Sequence, residues 1–338
     1  KKINLSLRAN LKFGDNSDSE FETILNKIIS YYLPLSVIEN YNQVKNFINK
    51  DIKWPDDPKI IFTSNAFGEG GPAQFWIAEK VEKGSKYYIG QHGAGYLELY
   101  DKEFRVELKP ANGLIAWGPD KYNKKIYPLF NFTVLGRENY KKKRKKLIIV
   151  LRSSGARTNP FDRFEYAKII YNKSIELVEN LNSDLKKNAI LRLHSNYKKG
   201  IYSSFDKFLE ENKHLKIDSK THYFKLASDS KITIFNDYSS GFLQNLSINY
   251  PSILFFPFGL KVIHKENKSD FDELIKNKIV FTEINTLTKH LNNNWNDLDS
   301  WWQSKSNIEA RENFLNKLSI KPPRDGLKKL SNMLKNLP

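Results

Sequence analysis

Two α/β domains in one chain are what the sequence predicts, and three observations predict them. Short β-branched runs end in small polar or glycine-rich loops that lead into segments with helical spacing of apolar residues. That alternation stops at the basic run of residues 141–146 and begins again on the apolar stretch Leu147-Ile-Ile-Val-Leu151. The length of 338 residues exceeds the usual single hydrophobic core and fits two domains of about 150 residues each. Two domains in turn make a cleft between them an expected binding place.

The elements follow in order. Apolar residues at helical spacing from Glu20 (Phe21, Ile24, Leu25, Ile28, Ile29), a Pro-containing break and a second helical stretch to Asn49 read as helices on one flank of the first domain. Lys59-Ile-Ile-Phe-Thr-Ser64 reads as a strand, followed by a glycine-rich loop and a helix from Ala73 to Glu82. Further strands are predicted at Tyr87 to Gln91 and around Gly113 to Trp117. In the second domain the strands are Leu147 to Leu151, Ala189 to Leu193, Lys231 to Phe235 and Pro251 to Phe256, with helices at Phe164 to Leu181 and Phe242 to Asn249. The tail from Leu287 reads as Trp-rich helices (Trp295, Trp301, Trp302) packing back across both domains. The boundaries are therefore set at 1–140, 141–286 and 287–338, with ligands expected at the carboxyl ends of the strands.

Composition narrows the function classes. With 40% apolar and 13% aromatic residues the chain has enough side chains for two cores, which excludes a disordered reading. The absence of cysteine removes disulfides, thiol nucleophiles and cysteine-based metal sites. It also suits a cytoplasmic protein. No run reaches the roughly 20 apolar residues that span a bilayer, and no signal-peptide pattern opens the chain. Residue 1 is Lys and not Met, so the chain reads as an excised portion whose flanks are open.

The net charge is +17, with 55 Lys and Arg against 38 Asp and Glu, so the long-range field favours anionic partners. Zinc-finger and RNP patterns are missing and the Lys residues are dispersed, so nucleic acid is not an expected partner. The basic run 141–146 is a solvated linker whose functional alternative is peripheral contact with an anionic membrane at the cytoplasmic face.

Candidate site residues gather at predicted strand ends. Gln91-His92-Gly93-Ala94-Gly95-Tyr96 is a glycine-rich turn in which the backbone can approach a ligand closely and the His92 imidazole is presented as a general base or donor. Glu69, in Phe67-Gly-Glu69-Gly-Gly-Pro72, is the second candidate base. In the other domain Arg192 and His194 alternate onto one face at the end of their strand, where two donor groups suit a phosphate. Asp237-Tyr-Ser239-Ser240-Gly241 precedes a helix, and serine hydroxyls with free amides at a helix N-terminus make an anion site. Arg152, with Ser153 and Ser154, ends the first strand of this domain as an acceptor clamp or second phosphate ligand. The acidic pair Asp56-Asp57 sits in a Trp-Pro-Asp-Asp-Pro turn of surface type, so no metal site is expected.

Several of these segments together resemble a known family. Ala78-Glu79-Lys80, the turn Gln91-His92-Gly93-Ala94 and Trp117-Gly118 are similar to the AEK, QHGG-like and WG motifs of the LIC-type surface-carbohydrate transferases. The likeness runs through Asp237-Tyr-Ser-Ser-Gly to Asn249-Tyr-Pro251 and covers about residues 58–260; Ala94 stands where that pattern has a second Gly. More distantly, His194 and Ser239-Ser240 resemble the HP and S motifs of bacterial sialyltransferases and capsule Kdo transferases, with Ser195 in place of the Pro.

The resemblance implies a GT-B fold of two Rossmann-like domains, with the acceptor on the N-terminal side. It also implies a CMP-activated ulosonic-acid donor (sialic, pseudaminic, legionaminic or Kdo type) and a glycan acceptor. On that reading no cofactor beyond the CMP-sugar is needed, and His194, Ser239, Ser240, Arg192 and Asp237 hold the donor phosphate or nucleotide. Glu69 or His92 takes the acceptor proton, and Arg152, Gln91 and Gly93 contact the donor carboxylate or the acceptor. A CDP-glycerol-type polyol-phosphate transferase and a non-catalytic module that binds anionic glycans are the rival readings.

Overall fold

In the computed structural model the chain is described at residues 2–11, 13, 19–69, 71–99, 104–120, 123–137, 145–151, 164–193 and 210–338. The strands among these described residues form two sheets, one in the order β1-β2-β3-β4 and one of six strands in the order β10-β9-β8-β5-β6-β7. Contacts divide the chain into two compact units: residues 1–90 with 110–112, and residues 91–109 with 113–338.

The first unit opens with helices Leu5–Ala9, Glu20–Tyr32 and Tyr41–Phe47, the last continuing into a π-helical turn, Ile48–Ile52. Ser19 caps the second helix by accepting the Glu22 N–H at 3.2 Å, and Glu20 and Glu22 place negative charge in its positive first turn. The expected helix is present, but Phe21 (71% exposed), Ile24 (51%) and Ile28 (44%) stay in contact with solvent. What fixes this region is polar. Arg8, 1% exposed, pairs with Glu39 at 2.7 Å and donates to the carbonyls of Ser30, Tyr31 and Leu33, the orphan acceptors at the end of the Glu20–Tyr32 helix.

Strands β1 (Ile60–Thr63) and β2 (Lys86–Gly90) then pair in parallel, with helices Ala66–Glu69 and Pro72–Glu82 in the crossover. Pro72 fits the first turn of its helix, where a missing N–H costs nothing. Glu79 of the AEK segment is tied to Lys83 (2.9 Å) and Lys45 (3.1 Å). The Lys83 hydrogen bond and the Lys45 charge hold its carboxyl below the usual range, so this motif residue serves the local fold.

In the second unit β3 (Gly113–Ala116) and β4 (Ile126–Pro128) pair in parallel. The six-stranded sheet comprises β5 (Lys146–Val150), β6 (Ala189–Arg192), β7 (Ile217–Asp218), β8 (Ser230–Phe235), β9 (Ser252–Phe255) and β10 (Val280–Phe281), parallel throughout. Read from β7, its order is that of a Rossmann sheet, with the first strand in the middle and the direction of winding reversing between β5 and β8. Leu147, Ile149, Leu191, Ile232, Ile234 and Ile253 fill its core against Leu177 of helix Phe164–Glu179 and Leu287 and Leu291 of helix Ile284–Asn294. Near-continuous apolar strands are what a parallel sheet buried on both faces requires.

After helix Lys305–Leu318 the chain returns to β3 and β4. Ile320 N–H donates to the Trp117 carbonyl and Asn131 N–H to the Ile320 carbonyl, each at 2.8 Å. Gly118 lies so close that a Cβ there would come within 2.2 Å of the Lys317 carbonyl oxygen, which explains the WG pair: a fully buried Trp117 followed by a residue with no side chain. Among the described residues no helix is long and apolar enough to cross a membrane.

The Arg8–Glu39 pair sets an acid limit on the first unit. The Arg8 hydrogen bond lowers the Glu39 pKa from 4.5 to about 2. Between those values the unfolded chain binds the extra proton, so stability falls as pH drops. Glu39→Gln is therefore expected to melt below wild type at pH 7, and the gap should shrink between pH 5 and pH 2 in thermal unfolding followed by far-UV circular dichroism. A constant gap across that range disproves the linkage.

Candidate functional site

Strand β8 ends at the reversal point of the six-stranded sheet and delivers Asn236, Asp237, Tyr238 and Ser239 to its carboxyl edge. Helix Ser240–Ser247 begins there, two residues before the position predicted from its apolar spacing. The difference matters, because Ser239 becomes the N-cap and Ser240 the first helical residue. Ser239 has the extended backbone of a cap but its hydroxyl makes no capping bond, and the side chain is half-buried. A polar oxygen and the first helical amides thus face the place where a parallel α/β sheet takes anionic ligands. Gly241 is required behind them, since a Cβ would stand 2.7 Å from the Phe235 ring.

The turn after β2 belongs to the second unit and is docked on this helix start. The Ser240 hydroxyl oxygen accepts the Ala94 N–H at 3.0 Å, and a Cβ on Gly93 would lie 2.8 Å from that same oxygen. Gln91 is fully buried: its Nε2 donates to the Gly93 carbonyl (2.9 Å) and its Oε1 accepts the Trp117 N–H (2.8 Å). Its amide is spent inside the fold, so Gln91 shapes the turn and presents nothing to a ligand. His92 is exposed, with Nδ1 2.6 Å from the Tyr96 hydroxyl and the two rings edge to face at 5.3 Å.

Glu98 is the residue that the sequence reading missed. It is wholly buried, and its Oε2 accepts the Gly95 N–H (2.9 Å) and the Leu97 N–H (3.0 Å) while its Oε1 accepts the Tyr238 hydroxyl (2.8 Å). One carboxylate therefore joins the His92 turn to the segment that leads into Ser239. Burial pushes its pKa up against those three donors, and burial together with the facing Glu98 charge raises that of Tyr238. The only sequence signal was an acidic residue inside the apolar stretch Tyr96-Leu-Glu-Leu-Tyr100.

The other expected residues divide. Arg192 ends β6 and is 7% exposed, donating to the Asp218 carbonyl at 3.4 Å with Nε 3.8 Å from the Asp218 carboxylate. Burial lowers its pKa and Asp218 opposes the shift. Asp237 follows β8 and is half-buried. Arg152 and His194 lie outside the described residues, and Glu69 closes helix Ala66–Glu69 with its side chain likewise outside them. Of the expected set, Gln91, His92, Gly93, Ser239 and Ser240 are brought together in the second unit.

Strand order and site define a parallel α/β protein with a polar turn seated on a helix N-terminus at the ligand edge. The chain belongs to the LIC12162 family of transferases, whose family model matches residues 1–330. No curated protein matches it. Similar solved structures include a variant of the wall teichoic acid polymerase TagF (TM-score 0.45, 13% identity, 87% of this chain and 84% of that one). MurG of Acinetobacter baumannii (0.43, 11%, 89% and 78%) and the UDP-GlcNAc 2-epimerase of Neisseria meningitidis bound to UDP-GlcNAc (0.43, 12%, 95% and 84%) are similar to about the same degree. The fold is assigned from the chain's own strand order and not from these likenesses.

The Glu98 clamp gives a test with two arms. A carboxyl whose pKa is raised by folding holds its proton longer than the unfolded chain does, so its contribution is complete below the ordinary value of 4.5 and is lost as pH rises through the raised one. Glu98→Gln should remove that loss and be at least as stable as wild type at pH 8. Tyr238→Phe should cost about 1–3 kcal/mol by stranding a buried acceptor. Urea denaturation at pH 5 and pH 8 measures both, and a Gln variant weaker at pH 8 than at pH 5 relative to wild type contradicts the assignment.

Proposed function

We propose that the chain is a GT-B-type glycosyltransferase that moves an ulosonic-acid sugar from a CMP-activated donor to a glycan hydroxyl in surface-polysaccharide synthesis. The observation that carries this reading is the docking of the His92 turn on the N-terminus of helix Ser240–Ser247, with the Ala94 N–H on the Ser240 oxygen at 3.0 Å. A phosphate bound at that helix start, on the Ser239 hydroxyl and the first amides, would lie beside the turn that carries the His92 imidazole. Membership in a transferase family supports group transfer, and the order of a Rossmann sheet supports a nucleotide at this edge.

In the proposed reaction the acceptor oxygen forms a bond to the anomeric carbon as the bond from that carbon to the CMP phosphate oxygen breaks. The electron pair leaves with CMP. Ser239, Ser240 and the helix amides stabilise the charge growing on the phosphate, which is the electrostatic share of catalysis. His92 receives the acceptor proton, a role that contributes about 10²–10⁴-fold in general-base catalysis. Arg192, with Arg152 and His194, supplies positive charge for the phosphate and for the sugar carboxylate, and Glu69 is the competing candidate base. The net charge of +17 raises the local concentration of such donors.

A thermal-shift titration with CMP, CDP, UDP and GDP tests the reading, because a ligand that binds only the native state raises the melting temperature by mass action. CMP is expected to stabilise selectively, and Ser239→Ala to weaken CMP by about 10- to 100-fold, the worth of a hydrogen bond to a charged group. A preference for CDP replaces the donor with a polyol-phosphate one. Silence with all four nucleotides removes the transferase reading of this site.

A further inference from the structure

His92 has two ring nitrogens, and only one of them is able to take a proton from an acceptor while the ring is neutral. Which one is decided by what the other is bonded to. Here Nδ1 lies 2.6 Å from the Tyr96 hydroxyl, and Tyr96 is 7% exposed whereas His92 is exposed. Nδ1 is therefore turned inward and Nε2 outward.

The Tyr96 hydroxyl has a second neighbour, Glu107 Oε2 at 3.3 Å, carried by the short helix Phe104–Leu108. A phenol has one proton to give and a carboxylate has none. For both contacts to be hydrogen bonds Glu107 must accept the Tyr96 proton, and the Tyr96 oxygen then has only a lone pair left for His92, which makes Nδ1 the protonated nitrogen. The proton order along the chain is then His92 Nδ1–H to Tyr96 O, and Tyr96 O–H to Glu107 Oε2. The lone pair of His92 stands on Nε2, on the exposed side of the ring.

We propose that Tyr96 and Glu107 are positioning residues which fix His92 in the Nδ1–H tautomer and so direct its basic nitrogen toward the acceptor hydroxyl. This rests on the assignment of His92 as the base in the transfer reaction. During transfer the acceptor proton moves to Nε2 as the glycosidic bond forms, and the resulting imidazolium is stabilised through Tyr96 by the Glu107 carboxylate. Neither residue touches the substrate. The spacing also explains why the turn is built as it is: His92 and Tyr96 are four residues apart, and Gly95, at φ +96°, turns the backbone between them so that the two rings meet at right angles.

The direct readout is the nitrogen-15 spectrum of the histidine rings in the intact protein, recorded at a pH where His92 is neutral and assigned by comparison with His92→Gln. Wild type is expected to show a protonated Nδ1 and a bare Nε2. Tyr96→Phe removes the acceptor for Nδ1–H and should return the ring to the Nε2–H form that unconstrained neutral histidines prefer. Glu107→Leu frees the Tyr96 proton to point at His92 and should do the same; Glu107 is itself only half-buried, so this variant tests the idea if the Phe variant does not fold. An Nε2–H tautomer in wild type, or an unchanged ring in both variants, overturns the proposal whatever the enzyme transfers.

Turnover supplies the second readout. With a CMP-sugar that wild type uses, Tyr96→Phe should lower kcat about 10- to 100-fold with the donor KM unchanged, the signature of a mispositioned general base. A changed tautomer with unchanged kcat overturns the catalytic role of the relay. If no nucleotide binds and no sugar is transferred while the tautomer shift is seen, the assignment of His92 as the transfer base fails and takes the relay's catalytic role with it, leaving the proton order alone.

Discussion

A buried carboxylate governs this structure. Glu98 has no contact with water, yet both of its oxygens are used, by two backbone amides of its own turn and by the Tyr238 hydroxyl. Charge placed in a low-dielectric interior is costly unless it is hydrogen-bonded, and here the bonds tie segments about 140 positions apart in the chain. Other contacts reinforce the same seam: the Glu98 carbonyl accepts the His264 N–H, Asn267 donates to the Leu97 carbonyl, and Leu99 pairs with Ile263 in an isolated antiparallel bridge. The turn after β2 is consequently part of the compact unit that holds the six-stranded sheet, although the strand it leaves belongs to the other.

A second seam uses backbone in place of charge. The segment after helix Lys305–Leu318 completes hydrogen bonding at Trp117 and Asn131, and Asn131 Nδ2 donates to the Ser319 hydroxyl, which also lies 3.2 Å from that of Ser247. Gly118 permits the approach. The C-terminal helices are thus fastened by paired buried polar groups as well as by apolar burial of Trp302, Phe314 and Leu318. Such networks add specificity because an unpaired member is costly, so few alternative packings satisfy them all.

The strands were readable because parallel strands buried on both faces are simply apolar runs between turn residues, and β5, β6, β8 and β9 all fall within a residue or two of where the sequence places them. His92, Gly93 and Ser240 were readable for a related reason: glycines and helix-start serines have local conformational causes. Glu98 and Glu107 were not, since their meaning lies in partners distant in sequence or set by a turn whose shape no short window reveals. Arg8 and Glu39 are a further case, two ordinary surface residue types that become a buried pair only when helix Leu5–Ala9 meets the end of helix Glu20–Tyr32 and the turn that follows it. Periodicity gave the Glu20–Tyr32 helix correctly but not its environment: helical spacing of Phe21, Ile24 and Ile28 specifies a face, and that face remains on the surface of the chain.

The same physics accounts for where His92 sits. In the proposed role of base His92 has to be accessible, and loops are the accessible parts of an α/β fold, but a base on a free loop wanders by more than proton transfer tolerates. The structure resolves the conflict by leaving the imidazole exposed and fixing the backbone around it. Gln91 holds the turn from one side, Ser240 grips Ala94 from another, and Glu98 clamps Gly95 and Leu97 from below. Two of these three anchors, Gln91 and Glu98, use fully buried side chains that a ligand never needs to meet. The precision of the site is therefore a property of buried residues, whereas the hydroxyl of Ser239 is consumed by no helix cap.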